Sequence, residues 1–319
     1  MKLLTFDELS DGQHTDRSLV QMAAFGGTFD RRRVEIWRRR TKVLADYVGI
    51  FAVDRGTVVG HAFVQRIPYT FPGGTETITG IASVATRSDR ARAGVARLVL
   101  EEIHRREREA GIHHAALWTN QSWGAHRLYE KLGYRDVYVP VLAVRAPRAP
   151  ERRPARPTVR AARASDLDGI EAIHARFGQG RLGFARRPAG VLRVAVAAGE
   201  LRPAEILLAR DAGRTLGYAV VDTGRLQTTC GELIGATARA RIALARAVEH
   251  KGRAGTVTFR DSAVEVLRPW LRGRGYAIAP VGWFVLMGCT YGRADSARAA
   301  CREFGTDRPG FLCFTGDRF

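Results

Sequence analysis

Between Val144 and Pro157 the chain reads Val-Arg-Ala-Pro-Arg-Ala-Pro-Glu-Arg-Arg-Pro-Ala-Arg-Pro, four prolines within fourteen residues. Each proline removes a backbone donor and locks φ, so neither a helix nor a central strand can run through the segment. It reads as an extended, semi-rigid linker. A linker there divides 319 residues into two stretches, each of ordinary domain length. The expected division is a first domain over 1–145, the linker over 146–157, a second domain over 158–290 and a tail over 291–319.

The two stretches carry the same order of elements. In the first, an Arg-rich helical region is expected from about Arg31 to Leu44. Strands over Tyr47–Val53 and Val58–Val64 follow, joined by a tight turn at Asp54-Arg55-Gly56. A loop with Pro68 and Pro72-Gly73-Gly74 leads to a third strand, Thr77–Ala85. Val95, Leu98, Val99, Leu100, Ile103 and His104 then recur at helical spacing, and Gly111 stops that helix. A strand at Ala115–Trp118 and a helix from Ala125 to Lys131 come next. The second stretch offers strands at Glu205–Arg210 and Leu216–Asp222 around Asp211-Ala212-Gly213, then Leu226–Leu233, a helix over Thr237–Glu249, a strand at Gly255–Arg260, a helix over Ala263–Leu271 and a strand at Trp283–Met287. One order met twice implies an internal duplication.

Composition narrows the function. The formal net charge is +19, almost all of it arginine, and a positive field favours an anionic partner. Much of the arginine lies in Ala-Arg runs without any nucleic-acid-binding signature. That favours an enzyme with a phosphate-bearing cofactor over a nucleic-acid partner. Cys230, Cys289, Cys301 and Cys313 form no CxxC pair, so no zinc site is expected. No run of eighteen apolar residues and no signal-peptide pattern is present, so a soluble cytoplasmic chain is expected, with a homo-oligomer left open.

The chemistry concentrates in Ile81-Ala-Ser-Val-Ala-Thr-Arg-Ser-Asp-Arg90-Ala-Arg-Ala-Gly94-Val-Ala-Arg-Leu98. A strand ends, a basic loop turns, and Gly94 opens a helix. Unpaired N–H groups at a helix start, with the positive dipole end behind them, bind a pyrophosphate without side chains. Gly94 and Ala96 allow close approach, and Arg90 and Arg92 add charge. The second informative stretch is Asn120-Gln-Ser-Trp-Gly-Ala-His-Arg-Leu128-Tyr-Glu-Lys-Leu-Gly133-Tyr134.

With both stretches in order, residues 45 to 140 resemble the GNAT N-acetyltransferase superfamily. The resemblance implies two α/β (α+β) GNAT-like domains, each a mixed, mostly antiparallel sheet flanked by helices. It implies acetyl-CoA as acyl donor and an amine as acceptor. Val84 and Ala85 would meet the pantetheine arm, and Arg90, Arg92, Ala93, Gly94, Val95 and Ala96 would form the pyrophosphate loop. Asn120 would bond the cofactor, and Tyr129 would act as general acid on the leaving thiolate. Family members often carry a Glu where this chain has Gly80 or Ile81, so the general base is open between Glu76, His61 and the carboxylate of Phe319. Trp118, Tyr69 and Trp123 are candidate acceptor walls. The family usually places Gln or Arg where Ala91 stands, and Ala96 replaces a commoner Gly. The second half lacks the loop, and Trp270 or Leu271 stands where the acid would be, so it reads as a degenerate copy. Competing readings are an aminoacyl- or other acyl-transferase on the same fold and a non-catalytic acyl-CoA-binding module.

Overall fold

The computed structural model describes residues 1–26, 30–32, 35–36, 44–148, 157–293, 295–309 and 311–312. Most of the expected Arg31–Leu44 helical region, most of the linker, and Cys313 and Phe319 lie outside the described residues. The chain divides into two compact units, and neither is contiguous.

Unit one contains Met1–Tyr138 and Trp283–Thr306. Its elements are β1 (Lys2–Thr5), α1 (Asp11–Phe25), β2 (Leu44–Asp54), β3 (Thr57–Phe71), β4 (Gly74–Thr86), α2 (Val95–Glu109), β5 (His114–Asn120), α3 (Gly124–Lys131) and β6 (Arg135–Tyr138). A further strand, Phe284–Thr290, is β14 in chain order. The sheet runs β1-β2-β3-β4-β5-β14-β6 and is antiparallel except where β4 meets β5. Alternation along β2 sorts its side chains to two faces. Ile50 and Ala52 join Val95, Val99, Ile103 and Tyr129 on the α2 side, while Phe51 and Val53 join Phe6 and Leu9 on the other.

The turn expected at Asp54-Arg55-Gly56 has two successive positive φ values, 50° at Arg55 and 84° at Gly56, which is the geometry that keeps a two-residue hairpin twisted correctly. The expected loop at Pro68 is instead strand. β3 continues through it to Phe71, and Pro68 pairs with Thr77. Among the described residues the pairing of β3 with β2 ends at Gln65, and Pro68 donates to no strand on that side.

Unit two contains Val139–Gly282. It comprises β7 (Val141–Arg145), β8 (Thr158–Ala161), α4 (Leu167–Gly178), α5 (Val191–Ala197), β9 (Ile206–Asp211), β10 (Arg214–Thr223), β11 (Gln227–Gly235), α6 (Ala238–Lys251), β12 (Thr256–Arg260), α7 (Asp261–Gly273) and β13 (Ala277–Pro280). The sheet order, β13-β7-β12-β11-β10-β9-β8, mirrors that of unit one, again with one parallel step, β11 to β12. Both units are therefore mixed, mostly antiparallel sheets flanked by helices.

One strand in each sheet comes from the other half of the sequence. β14 enters unit one between β5 and β6, from Phe284 opposite Asn120 to Thr290 opposite His114. β7 takes the same place in unit two, between β12 and β13. This differs from the contiguous division at the linker, which put Val141–Arg145 in the first domain and Phe284–Thr290 in the second. A period-two pattern fixes which face of a strand is buried but not which sheet receives it.

Candidate active site

The far end of β4 is built from close approaches. A Cβ on Gly60 of β3 would lie 2.6 Å from Val95 Cγ1 and 3.0 Å from the Ala85 carbonyl oxygen, so only glycine lets the first turn of α2 rest on the strand. The loop between β4 and α2 is short. Arg87 N donates to Val59 O at 2.9 Å and Ala93 N to Arg90 O at 3.2 Å, with Arg92 at φ 64° and Gly94 at φ 78°. Gly94 is the residue before the helix and offers no side-chain cap. The first N–H groups of α2 thus have neither intrahelical acceptors nor a capping side chain, and carry the positive end of the helix dipole.

Beside this loop the sheet opens. β4 and β5 pair in parallel from Ile78 opposite His114 to Ile81 opposite Leu117, and the pairing stops there. β4 continues to Thr86 and β5 to Asn120, while β14 pairs with the other edge of β5 along its whole length. The edge of β4 from Ala82 to Thr86 therefore has no strand partner toward β5 among the described residues. An edge of unpaired backbone groups is what an extended polar chain can add to. Val84 and Ala85 lie on it, Ala85 buried and Val84 packed against the α2-side core.

α3 closes the opening from the other side. Asn120 Oδ1 accepts from Ser122 N at 2.9 Å and Ser122 Oγ at 2.7 Å, a turn that launches the helix. Its amide nitrogen has no partner among the described residues. Tyr129 on α3 is buried in the same cluster as Ile81, Val95 and Leu117, edge-on to Tyr134 with centroids 5.9 Å apart. Its hydroxyl has no hydrogen-bond partner among the described residues, and burial pushes its phenol well above the usual tyrosine range. The structure thus brings Val84, Ala85, the loop around Gly94, Asn120 and Tyr129 to one end of the sheet.

Other expected residues stand differently. Arg90 ion-pairs with Asp54 at 2.7 Å, and Arg87 is held by Asp89; Arg92 is exposed with no partner among the described residues. Glu76 is not at the opening. It lies near the start of β4, eight positions before Val84, or about 26 Å at ~3.3 Å per residue, with its carboxylate 3.4 Å from His114 Nδ1. His61 pairs across the sheet with Ala85, fully buried between Phe51 and Phe63. Burial, with Arg17 nearby, pushes its imidazole down to about 3, which makes it a poor proton acceptor. Trp118 stacks on Phe284 at 5.2 Å, Tyr69 is buried against Phe71 and Phe304, and Trp123 is exposed. Sequence reading missed α1, which packs on β3 and β4 and brings Gln21 to His61. Its signal was present: Ser10 and Gln13 form a capping box.

Unit two opens at the corresponding place, since β11 pairs with β12 only through Cys230. There the helix start is closed. Thr237 caps α6 by accepting from Ala240 N at 3.1 Å. Arg241 donates to Gly235 O at 3.0 Å, and its Cγ lies 2.7 Å from where a Gly235 Cβ would be. Tyr276 N donates to Leu271 O as Tyr134 N does to Tyr129 O, so Leu271 occupies the tyrosine's place. Glu232 on β11 is buried, bonded twice by Arg187 at 3.1 and 2.5 Å and once by the Tyr218 hydroxyl.

A mixed sheet parted at its single parallel step, beside an uncapped helix start and a buried tyrosine, defines the GNAT class of fold. Residues 6–137 match the model of the acetyltransferase (GNAT) domain. A probable N-acyltransferase from Enterococcus faecalis aligns at TM-score 0.71 and 13% identity, over 91% of this chain and 72% of its own. A GCN5-related N-acetyltransferase from Anabaena variabilis aligns at TM-score 0.71 and 13% identity, over 90% and 72%. Eis1 from Mycobacterium abscessus aligns at TM-score 0.62 and 15% identity, over 92% and 74%. These likenesses are of fold. No curated protein sequence matches the chain.

Proposed function

We propose that this chain is an acetyl-CoA-dependent N-acetyltransferase that moves an acetyl group to an acceptor amine by direct attack. The observation that carries the reading is the unpaired Ala82–Thr86 edge, which leads from the Tyr129 cluster to the uncapped start of α2. The residues suit the cofactor. Val84 and Ala85 offer backbone groups to an amide-bearing arm, the amides after Gly94 offer donors to a pyrophosphate, and Arg92 adds an uncommitted charge. Bound acetyl-CoA supplies the acetyl thioester. The acceptor nitrogen forms the new C–N bond as the C–S bond breaks, and Tyr129 donates its proton to the departing sulfur. A phenol held above its usual range stays protonated across neutral pH, which is the form a proton donor must have. The proton shed by the amine restores the phenol through solvent.

Calorimetric titration of acetyl-CoA into the wild type and Gly94→Glu tests the reading. A Cβ at Gly94 meets nothing within 4 Å, so the side chain fits, but its charge faces the phosphates. Gly94→Ala carries the same backbone strain at φ 78° without the charge. Micromolar binding that survives Ala and is lost with Glu supports the site; a wild type that does not bind refutes it.

A further inference from the structure

Ser83 stands at φ 51°, in the left-handed region where this chain mostly uses glycine. The cause is a β-bulge. Opposite β4, His61 pairs with Ala85 and Phe63 with Ala82, so Ser83 and Val84 together face the single residue Ala62. Bulges of this kind re-aim a side chain, and the re-aimed one is the serine. Gln21 Nε2 on α1 donates to Ser83 Oγ at 3.4 Å, which places that oxygen on the α1 side, away from the α2 core that Val84 joins. Gln21 is itself oriented, because its Oε1 lies 2.9 Å from His61 Nε2. With Gln21 donating to the serine, His61 Nε2 carries the proton, and its buried Nδ1 has no partner among the described residues. A glycine would adopt this φ without strain and would leave that relay pointing at nothing.

The bulge falls two residues past Ile81, where β4 and β5 part. Ser83 Oγ therefore lies beside the opening, with one lone pair held by Gln21 and no other partner among the described residues. Resting on the acetyltransferase reading above, we propose that the Ser83 hydroxyl oxygen accepts an N–H of the incoming amine and so aims the nitrogen lone pair at the thioester. Gln21 and His61 are positioning residues behind it. The arrangement needs an uncharged amine nitrogen with an N–H to spare beside its attacking lone pair, so primary and secondary amines fit and tertiary amines do not. Proton loss from the nitrogen to solvent follows attack, and Ser83 changes no protonation state.

The probe is hydroxylamine, a minimal amine nucleophile that is uncharged at neutral pH, with CoA release as readout and acetyl-CoA affinity measured in parallel. Ser83→Ala is expected to lower kcat/KM for hydroxylamine about tenfold, the order of one lost hydrogen bond at a reacting group, with acetyl-CoA affinity unchanged within about twofold. Gln21→Leu is expected to cost a similar factor in the wild type and nothing further in the Ser83→Ala background, because it acts through that oxygen. A wild type that binds acetyl-CoA yet transfers to hydroxylamine no faster than Ser83→Ala overturns the proposal, as do single effects that multiply in the double variant. A wild type that fails to bind acetyl-CoA removes the acetyltransferase reading itself, and this inference with it.

Discussion

Met287 tests the exchanged strands most sharply. It lies beyond residue 280 of 319, yet its side chain is fully buried in the core of unit one among Ile50, Val99, Ile103, Leu117 and Tyr134. Its backbone pairs with Leu117 on one side and Asp136 on the other. Met287→Ala removes three heavy atoms from a packed interior that cannot fully collapse, because β14 is pinned between two strands. Buried Met→Ala changes cost about 2–5 kcal/mol, and a value near 3 kcal/mol corresponds to roughly 6–12 °C in a unit of this size. The assay is peptide-resolved hydrogen exchange. Peptides spanning β5, residues 114–120, and β6, residues 135–138, are expected to lose protection, while those spanning β11 and β12 keep theirs. Acetyl-CoA should restore protection to β5 by mass action. If peptides from 227–235 and 256–260 open instead and β5 is unaffected, the strand belongs to the second unit and the exchanged topology is wrong.

Two further outcomes follow from the site and the core. Tyr129→Phe deletes a hydroxyl that has no partner among the described residues, so it should leave the melting temperature and acetyl-CoA affinity nearly unchanged while lowering kcat about 10²–10⁴-fold; a variant with wild-type kcat removes Tyr129 as the acid. Burial holds His61 down to about 3 and His104 and His174 down to about 4. Unfolded histidine takes up its proton near pH 6.5, so between there and pH 4 the unfolded chain binds more protons and stability falls as pH falls, by up to about 1.4 kcal/mol per unit per histidine. Calorimetric scans from pH 7 to 5 should show the melting temperature dropping, and a flat profile over that range contradicts neutral burial.

Much of this was legible because local chemistry determines it. Asp54-Arg55-Gly56 and Asp211-Ala212-Gly213 announce their hairpins, and the structure carries positive φ at Arg55, Gly56, Ala212 and Gly213. Gly94 ahead of an apolar helical stripe announces an open helix start, and α2 begins at Val95. What could not be read depends on partners distant in sequence. Val141–Arg145 and Phe284–Thr290 are both short apolar strands, and no side chain in either names its sheet. A strand starting at Thr77 would leave Glu76 in a loop; β4 begins at Gly74 instead, and the carboxylate falls at the remote end. Ser83, Gln21 and His61 were invisible as a group. A left-handed serine carries no sequence signature, and it takes the bulge, α1 and β3 together to join residues 40 and 62 positions apart.

On the function proposed above, the two similar sheets carry one site rather than two, for reasons that can be traced atom by atom. Both sheets part at the parallel step, at Ile81 in β4 and at Cys230 in β11, so each retains a place for an extended ligand. A phosphate needs donors at the helix start next to that place. In unit one, Gly94 leaves them unclaimed; in unit two, Thr237 takes one for its own cap and Arg241 fills the space above Gly235. The proposed proton donor has no counterpart there either, since Leu271 stands where Tyr129 does. Reopening the second site would require removing a cap worth about 1 kcal/mol and moving a hydrogen-bonded arginine, costs that each subtract from any binding gained. Acetyl-CoA should therefore titrate to one equivalent per chain, and Gly94→Glu should abolish all of it. A stoichiometry of two, or residual binding in that variant at similar affinity, would mean that unit two accepts the cofactor by contacts other than a helix start.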